Sequence, residues 1–160
     1  MPETYVFEAA DLAATESFGR RLAGVLFPGA VVALIGNLGA GKTHLVRAVA
    51  AGLGVADARA VTSPTFVLIQ EYDAPLPIYH FDTYRLKSAA DFAALGVHEY
   101  FAGDGVCFVE WADRVPEVLP ADHLRITISV TSPTSRRIEV QGMGPRSQEV
   151  VGKLIAVEND

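Results

Sequence analysis

An α/β domain is what this 160-residue sequence predicts, and three observations predict it. The first is a continuous apolar run, Ala30-Val31-Val32-Ala33-Leu34-Ile35, which reads as a buried parallel strand. The second is the octapeptide that follows it, Gly36-Asn37-Leu38-Gly39-Ala40-Gly41-Lys42-Thr43, which fits the phosphate-binding pattern G-x-x-x-x-G-K-[ST] at every fixed position. The third is the stretch His44–Leu53, with Leu45, Val46, Val49 and Leu53 on one helical face. Strand, glycine loop and helix in that order are what the motif needs. Glycines let backbone N–H groups turn inward around phosphate oxygens, and the helix N-terminus adds partial positive charge. Lys42 is placed to reach the β- and γ-phosphates, and the Thr43 hydroxyl to ligate Mg²⁺.

The remaining elements follow the chain. Tyr5-Val6-Phe7 is a short strand candidate. Asp11 caps a helix predicted over Leu12–Leu26, with Leu12, Phe18, Leu22 and Val25 facing inward, and Pro28-Gly29 ends it. Gly54 closes the helix after the glycine loop. Val61–Thr65 is polar, and residues 66–82 read as a hairpin through the turn residues Asp73-Ala74-Pro75. Ser88-x-x-Asp91 is a capping box for a short helix ending near Gly96. Gly105–Glu110 is a second buried strand, and Leu124–Thr131 with Arg137–Gln141 alternates like an antiparallel pair. Residues 1–145 form one domain in this reading, and 146–160 a weakly helical or frayed tail.

Composition narrows the function. The length suits one domain with a real core. No apolar run approaches a membrane span, and residues 1–30 lack the features of a secretory leader, so the cytoplasm is the expected compartment. One cysteine, Cys107, excludes a disulfide framework or cysteine metal cluster within the chain. The net charge of −6, with no basic stripe, argues against autonomous nucleic-acid binding but leaves a role through a partner open.

A phosphate loop of this kind needs an acid at the end of a neighbouring strand, to hold Mg²⁺ or orient the attacking water. Two strands end in one: Glu110 and Asp82. Glu110 is the better metal ligand on sequence, because its strand is uninterrupted and apolar, and Asp82 is the second carboxylate, as metal partner or general base. Ser63-Pro64-Thr65 lies where nucleotide switches place a hydroxyl, and also reads as an ordinary turn. His80 reads as a core-edge residue satisfied locally. Tyr84 and Arg85 are a surface pair or groups presented to phosphate, and Trp111 is core or a lid. No Asn-Lys-x-Asp element occurs, which favours ATP over GTP.

Gly36-x-Leu38-Gly39-Ala40-Gly41-Lys42-Thr43, Ser63-Pro64-Thr65-Phe66, His80-Phe81-Asp82-x-Tyr84-Arg85-Leu86 and Val109-Glu110-Trp111, in this order and spacing, resemble the TsaE (YjeE) family. These are small bacterial ATPases of tRNA threonylcarbamoyladenosine biosynthesis. The match runs from about residue 11 to about residue 120, and Leu95–Phe101 is similar too. Asn37 stands where Asp is common in the family, and Ala112 where Pro is common. The resemblance implies a mixed sheet of P-loop NTPase type flanked by helices. It implies hydrolysis of Mg-ATP dependent on two partner proteins, TsaD and TsaB, with tRNA reached only through that complex. Carried over, Lys42 and the loop 36–43 bind phosphates, Thr43 and Glu110 hold Mg²⁺, Thr65 and Asp82 act as switch and catalytic groups with Glu110, Trp111 packs near the site, and Arg136 contacts the nucleotide. A small-molecule kinase and a nucleotide-gated scaffold with little turnover are the rival readings. The division of roles between Asp82 and Glu110 stays open.

Overall fold

The computed structural model describes residues 4–36, 41–56, 69–83, 86 and 88–159. Its elements are β1 (Thr4–Ala9), α1 (Leu12–Ala23), β2 (Val31–Ile35), α2 (Lys42–Gly52), β3 (Ile69–Tyr72), β4 (Ile78–Asp82), α3 (Ala89–Ala93), α4 (Val97–Phe101), β5 (Val106–Glu110), β6 (Leu124–Val130), β7 (Arg136–Gly142) and α5 (Pro145–Asn159). Two short 3₁₀ turns, Ala112–Arg114 and Pro116–Val118, link β5 to β6.

One seven-stranded sheet runs in the order β1-β7-β6-β2-β5-β4-β3. Its centre is parallel: β6 pairs β2, β2 pairs β5, and β5 pairs β4. Its two margins are antiparallel, made by β3 on one side and by β7 and β1 on the other. The apolar runs seen in the sequence sit at the centre, where both faces are covered. On one face α1, α2 and α5 pack over Phe18, Leu22, Leu34, Leu45, Phe108 and Leu154. On the other, α3, α4 and the 3₁₀ turns pack over Phe81, Phe92, Cys107 and Val109.

Local signals explain the ends of the elements. The Asp11 carboxylate accepts from the Ala14 N–H at 2.9 Å, as its position before α1 predicts. Ser88 caps α3 by accepting from the Asp91 N–H. Gly54, at φ +97°, supplies the left-handed residue after α2. Helix α1 ends at Ala23, three residues before the predicted Leu26, where Gly24 donates back to Arg20 and Arg21. Helices α1 and α2 approach closely because Gly19 faces Ala48, where an added Cβ would lie 2.5 Å from the Ala48 Cβ. That contact sets the start of α1 beside the start of α2.

Residues 145–159, read from sequence as weakly helical or frayed, form a helix, α5, that packs into the main core with Ser147, Val150, Val151 and Leu154 buried. Leu12, expected to face inward, is 59% exposed. Among the described residues no helix is long and apolar enough to cross a membrane.

Candidate active site

In an open sheet with a parallel centre, ligands bind beyond the carboxyl ends of the strands. Here β2 ends at Ile35 and runs into the glycine loop, β5 ends at Glu110, and β4 ends at Asp82. Parallel register puts Asp82 opposite Glu110, and Glu110 opposite Leu34. Three strand ends therefore open at one level against the first turn of α2.

Gly41 precedes α2 at φ +103°, a left-handed conformation in which a side chain is strained. Lys42 and Thr43 follow as the first two helical residues. Lys42 is 5% exposed, an unusual place for an ammonium. Its Nζ donates to the Gly36 carbonyl at 2.5 Å and lies 3.9 Å from the centre of the Trp111 ring. Burial holds the Lys42 pKa below the ordinary lysine value, opposed by the charges of Glu110, Asp82 and Asp113. A buried lysine thus lies within electrostatic reach of three carboxylates.

Glu110 is 3% exposed and held on both sides. The Thr43 hydroxyl lies 3.2 and 3.3 Å from its two oxygens. From β4, His80 Nε2 is hydrogen-bonded to Glu110 Oε2. The next residue, Trp111, has φ 59° and ψ 36°, the one non-glycine residue at positive φ among those described. Such a conformation costs on the order of 1–3 kcal/mol and persists where its surroundings over-determine it. Thr83 supplies that constraint: its hydroxyl donates to the Trp111 carbonyl at 2.8 Å and to the Glu110 carbonyl at 3.1 Å, and its N–H donates to the Glu110 carbonyl at 3.3 Å.

A cavity of about 420 Å³ adjoins this cluster. Asp11, Leu12, Gly41, His44, Ile128 and Arg136 are among its lining residues. Its wall is mostly apolar, which accounts for the exposed Leu12. The Arg136 guanidinium donates to the Ser132 and Ser135 carbonyls at 3.1 and 2.8 Å, which ties its charged head to the turn between β6 and β7.

The residues picked out by sequence thus converge where they are described. Gly36, Gly41, Lys42, Thr43, Asp82 and Glu110 share the strand-end cluster, and Arg136 lies at the neighbouring cavity. Asn37, Leu38, Gly39, Ala40, Thr65, Tyr84 and Arg85 lie outside the described residues. Trp111 lies against Lys42. Sequence reasoning missed Asp113, Thr83 and most of the cavity wall. A signal for Thr83 was present: a polar residue between two strand-end acids and buried runs needs a partner.

The chain matches a sequence model of the family described as threonylcarbamoyl adenosine biosynthesis protein TsaE over residues 9–138. It belongs to the TsaE family. A Bacillus subtilis (strain 168) protein named tRNA threonylcarbamoyladenosine biosynthesis protein TsaE is 40% identical over 146 residues, covering 91% of this chain and 90% of the relative. A Treponema pallidum protein of the same name is 41% identical over 126 residues, covering 79% of this chain and 92% of the relative. A crystal structure of Bacillus subtilis YdiB superposes with a TM-score of 0.82 at 34% identity, over 99% of this chain and 98% of that one. The TsaE-type fold therefore extends through α5, past the end of the family match.

Proposed function

We propose that this TsaE-family chain is an Mg²⁺-dependent ATPase that serves tRNA threonylcarbamoyladenosine biosynthesis with TsaD and TsaB. The observation that carries the reading is the meeting of Thr43 and Glu110, 67 residues apart in sequence, within 3.2–3.3 Å beside the buried Lys42. The pathway is the one in the relatives' names.

The residues fit Mg-ATP. Mg²⁺ favours hard oxygens and keeps waters and substrate phosphates as its other ligands, so one hydroxyl and one carboxylate suffice from the protein. Thr43 and Glu110 would hold the ion, which when bound neutralises charge developing on the phosphates. Lys42 leaves the Gly36 carbonyl and the Trp111 ring to pair with phosphate oxygens, exchanging a neutral acceptor for a charged one. Asp82, level with Glu110 but less enclosed, accepts the proton of the attacking water. The cavity takes the nucleoside: Leu12 and Ile128 offer apolar surface to the base, and Arg136 stands at its rim.

Dependence on partners is part of the same proposal. Lys42 is the cation buried against the strand-end acids, Arg136 stands at the adjoining cavity, and an arginine supplied in trans is worth on the order of 10³–10⁵ in rate. The acidic net charge fits tRNA reached through the partners. Phosphate release measured with the chain alone and with TsaD and TsaB tests the reading. Slow release alone and strong stimulation by both partners is the expected result. Rapid release alone overturns partner dependence. Transfer of phosphate to a small acceptor makes the chain a kinase, and ATP binding with no release under either condition makes it a scaffold.

A further inference from the structure

We infer that His80 is a positioning residue: it holds the Glu110 carboxylate in the orientation that binds the divalent cation, an inference that rests on the Mg-ATP reading above.

His80 is 0% exposed in the middle of β4, opposite Phe108 of β5, and shares a sheet face with Asp82 and Glu110. Its Nε2 is hydrogen-bonded to Glu110 Oε2, while its Nδ1 has no hydrogen-bond partner among the described residues. A carboxylate oxygen accepts hydrogen bonds, so this pairing assigns the ring proton to Nε2, the assignment that the labelling experiment below reads. An imidazole carried in a strand for packing alone would be replaced at less cost by Leu or Phe, because its buried nitrogens must be desolvated. Among the described residues, the one hydrogen bond its ring makes runs to the strand-end acid.

Glu110 reaches the site on three rotatable bonds, and fixing such a side chain costs up to about 2 kcal/mol of rotamer freedom. Two grips from different elements pay that cost in advance: Thr43 from α2 and His80 from β4. With Oε2 engaged by His80, Glu110 would keep Oε1 for a cation, beside the Thr43 hydroxyl. Groups that orient metal ligands in this way typically change metal affinity by 10–100-fold when removed.

Two substitutions separate this role from packing. In His80→Gln the side-chain amide nitrogen takes the place of Nε2 and still reaches Glu110. In His80→Asn the amide nitrogen takes the place of Nδ1 and falls short. ATP binding is measured by calorimetry with and without Mg²⁺, on full-length protein whose melting curve shows it folded. His80→Asn is expected to raise the Mg²⁺ midpoint at least about tenfold, and His80→Gln to stay within roughly threefold of wild type. Mg²⁺-free ATP affinity is expected to be equal in all three, and His80→Asn in a Glu110→Gln background to add less than about twofold. Equal midpoints in wild type and His80→Asn, equal losses in Asn and Gln, or an additive effect in the Glu110→Gln background overturns the proposal. Wild-type protein with ¹⁵N-labelled histidine gives a readout that needs no substitution at His80. A proton on His80 Nε2, with a resonance that moves when Mg²⁺ is added to the ATP-loaded protein, is expected. A proton on Nδ1 overturns the assignment. If wild type binds ATP with no dependence on Mg²⁺, the functional reading fails and this proposal with it. If wild type depends on Mg²⁺ and His80→Asn matches it, the proposal alone falls.

Discussion

Two carboxylates stand at the ends of adjacent strands, level with one another, and the fold treats them differently. Glu110 is buried, bonded by His80 and Thr43, and followed by a strained residue whose carbonyl Thr83 holds. Asp82 is half-buried at the end of β4, where Thr83 follows it directly. The same residue chemistry at the same level of one sheet thus yields a fully buried acid and a half-buried one. A metal ligand gains from being fixed before the ion arrives, since the ordering cost is then met by folding. A group that takes a proton from water needs room for that water. The contrast supports Glu110 as ion ligand and Asp82 as base.

The largest expected effect breaks the comparison on the half-buried side. Asp82→Asn should lower partner-stimulated turnover on the order of 10²–10⁴-fold while leaving nucleotide affinity and its Mg²⁺ midpoint near wild type. Next comes the buried side. Glu110→Gln should shift the Mg²⁺ dependence of ATP binding to higher concentration and cost several kcal/mol in turnover, about 10²-fold or more. Titrating Mg²⁺ against both variants decides: a shifted midpoint in Asp82→Asn and not in Glu110→Gln swaps the roles, and wild-type turnover in both removes the acids from the site.

Lys42→Ala tests the cation that both acids face. Removing it should weaken ATP binding by about 1.5–3 kcal/mol, roughly 10- to 150-fold, by calorimetry. Unchanged affinity would place the phosphates elsewhere. The smallest change tests the backbone behind Glu110. Thr83→Val keeps the shape but strips the hydroxyl from the Glu110 and Trp111 carbonyls, and should cost about 1–3 kcal/mol of stability in denaturant unfolding. Because the strained Trp111 lies against Lys42, its fluorescence on ATP addition should also change in that variant. A Thr83→Val protein with wild-type stability and fluorescence response would mean that the turn is held without this residue.

Much of this was legible in the chain because the signals are local. The apolar run before Gly36, the glycine loop and the amphipathic stretch after Lys42 each follow from steric and periodic rules that act over a few residues. Asp11 and Ser88 announced helix starts because a cap bonds within its own turn. Strand-end position alone was enough to mark Glu110 and Asp82. Tertiary structure decided the rest. Leu12 read as a core residue from its helical face, yet it is exposed because that end of α1 borders a cavity. The tail read as weakly helical because no strong cap or stripe marks it, and its order comes from burial against the main core. His80 read as a residue satisfied locally, and its partner lies 30 residues away on the next strand. Sequence determined which groups the chain carries and which local elements hold them. How deeply each acid is buried was set by strand order and parallel register, which bring His80, Thr83 and Thr43 to Glu110 through contacts that no local rule contains.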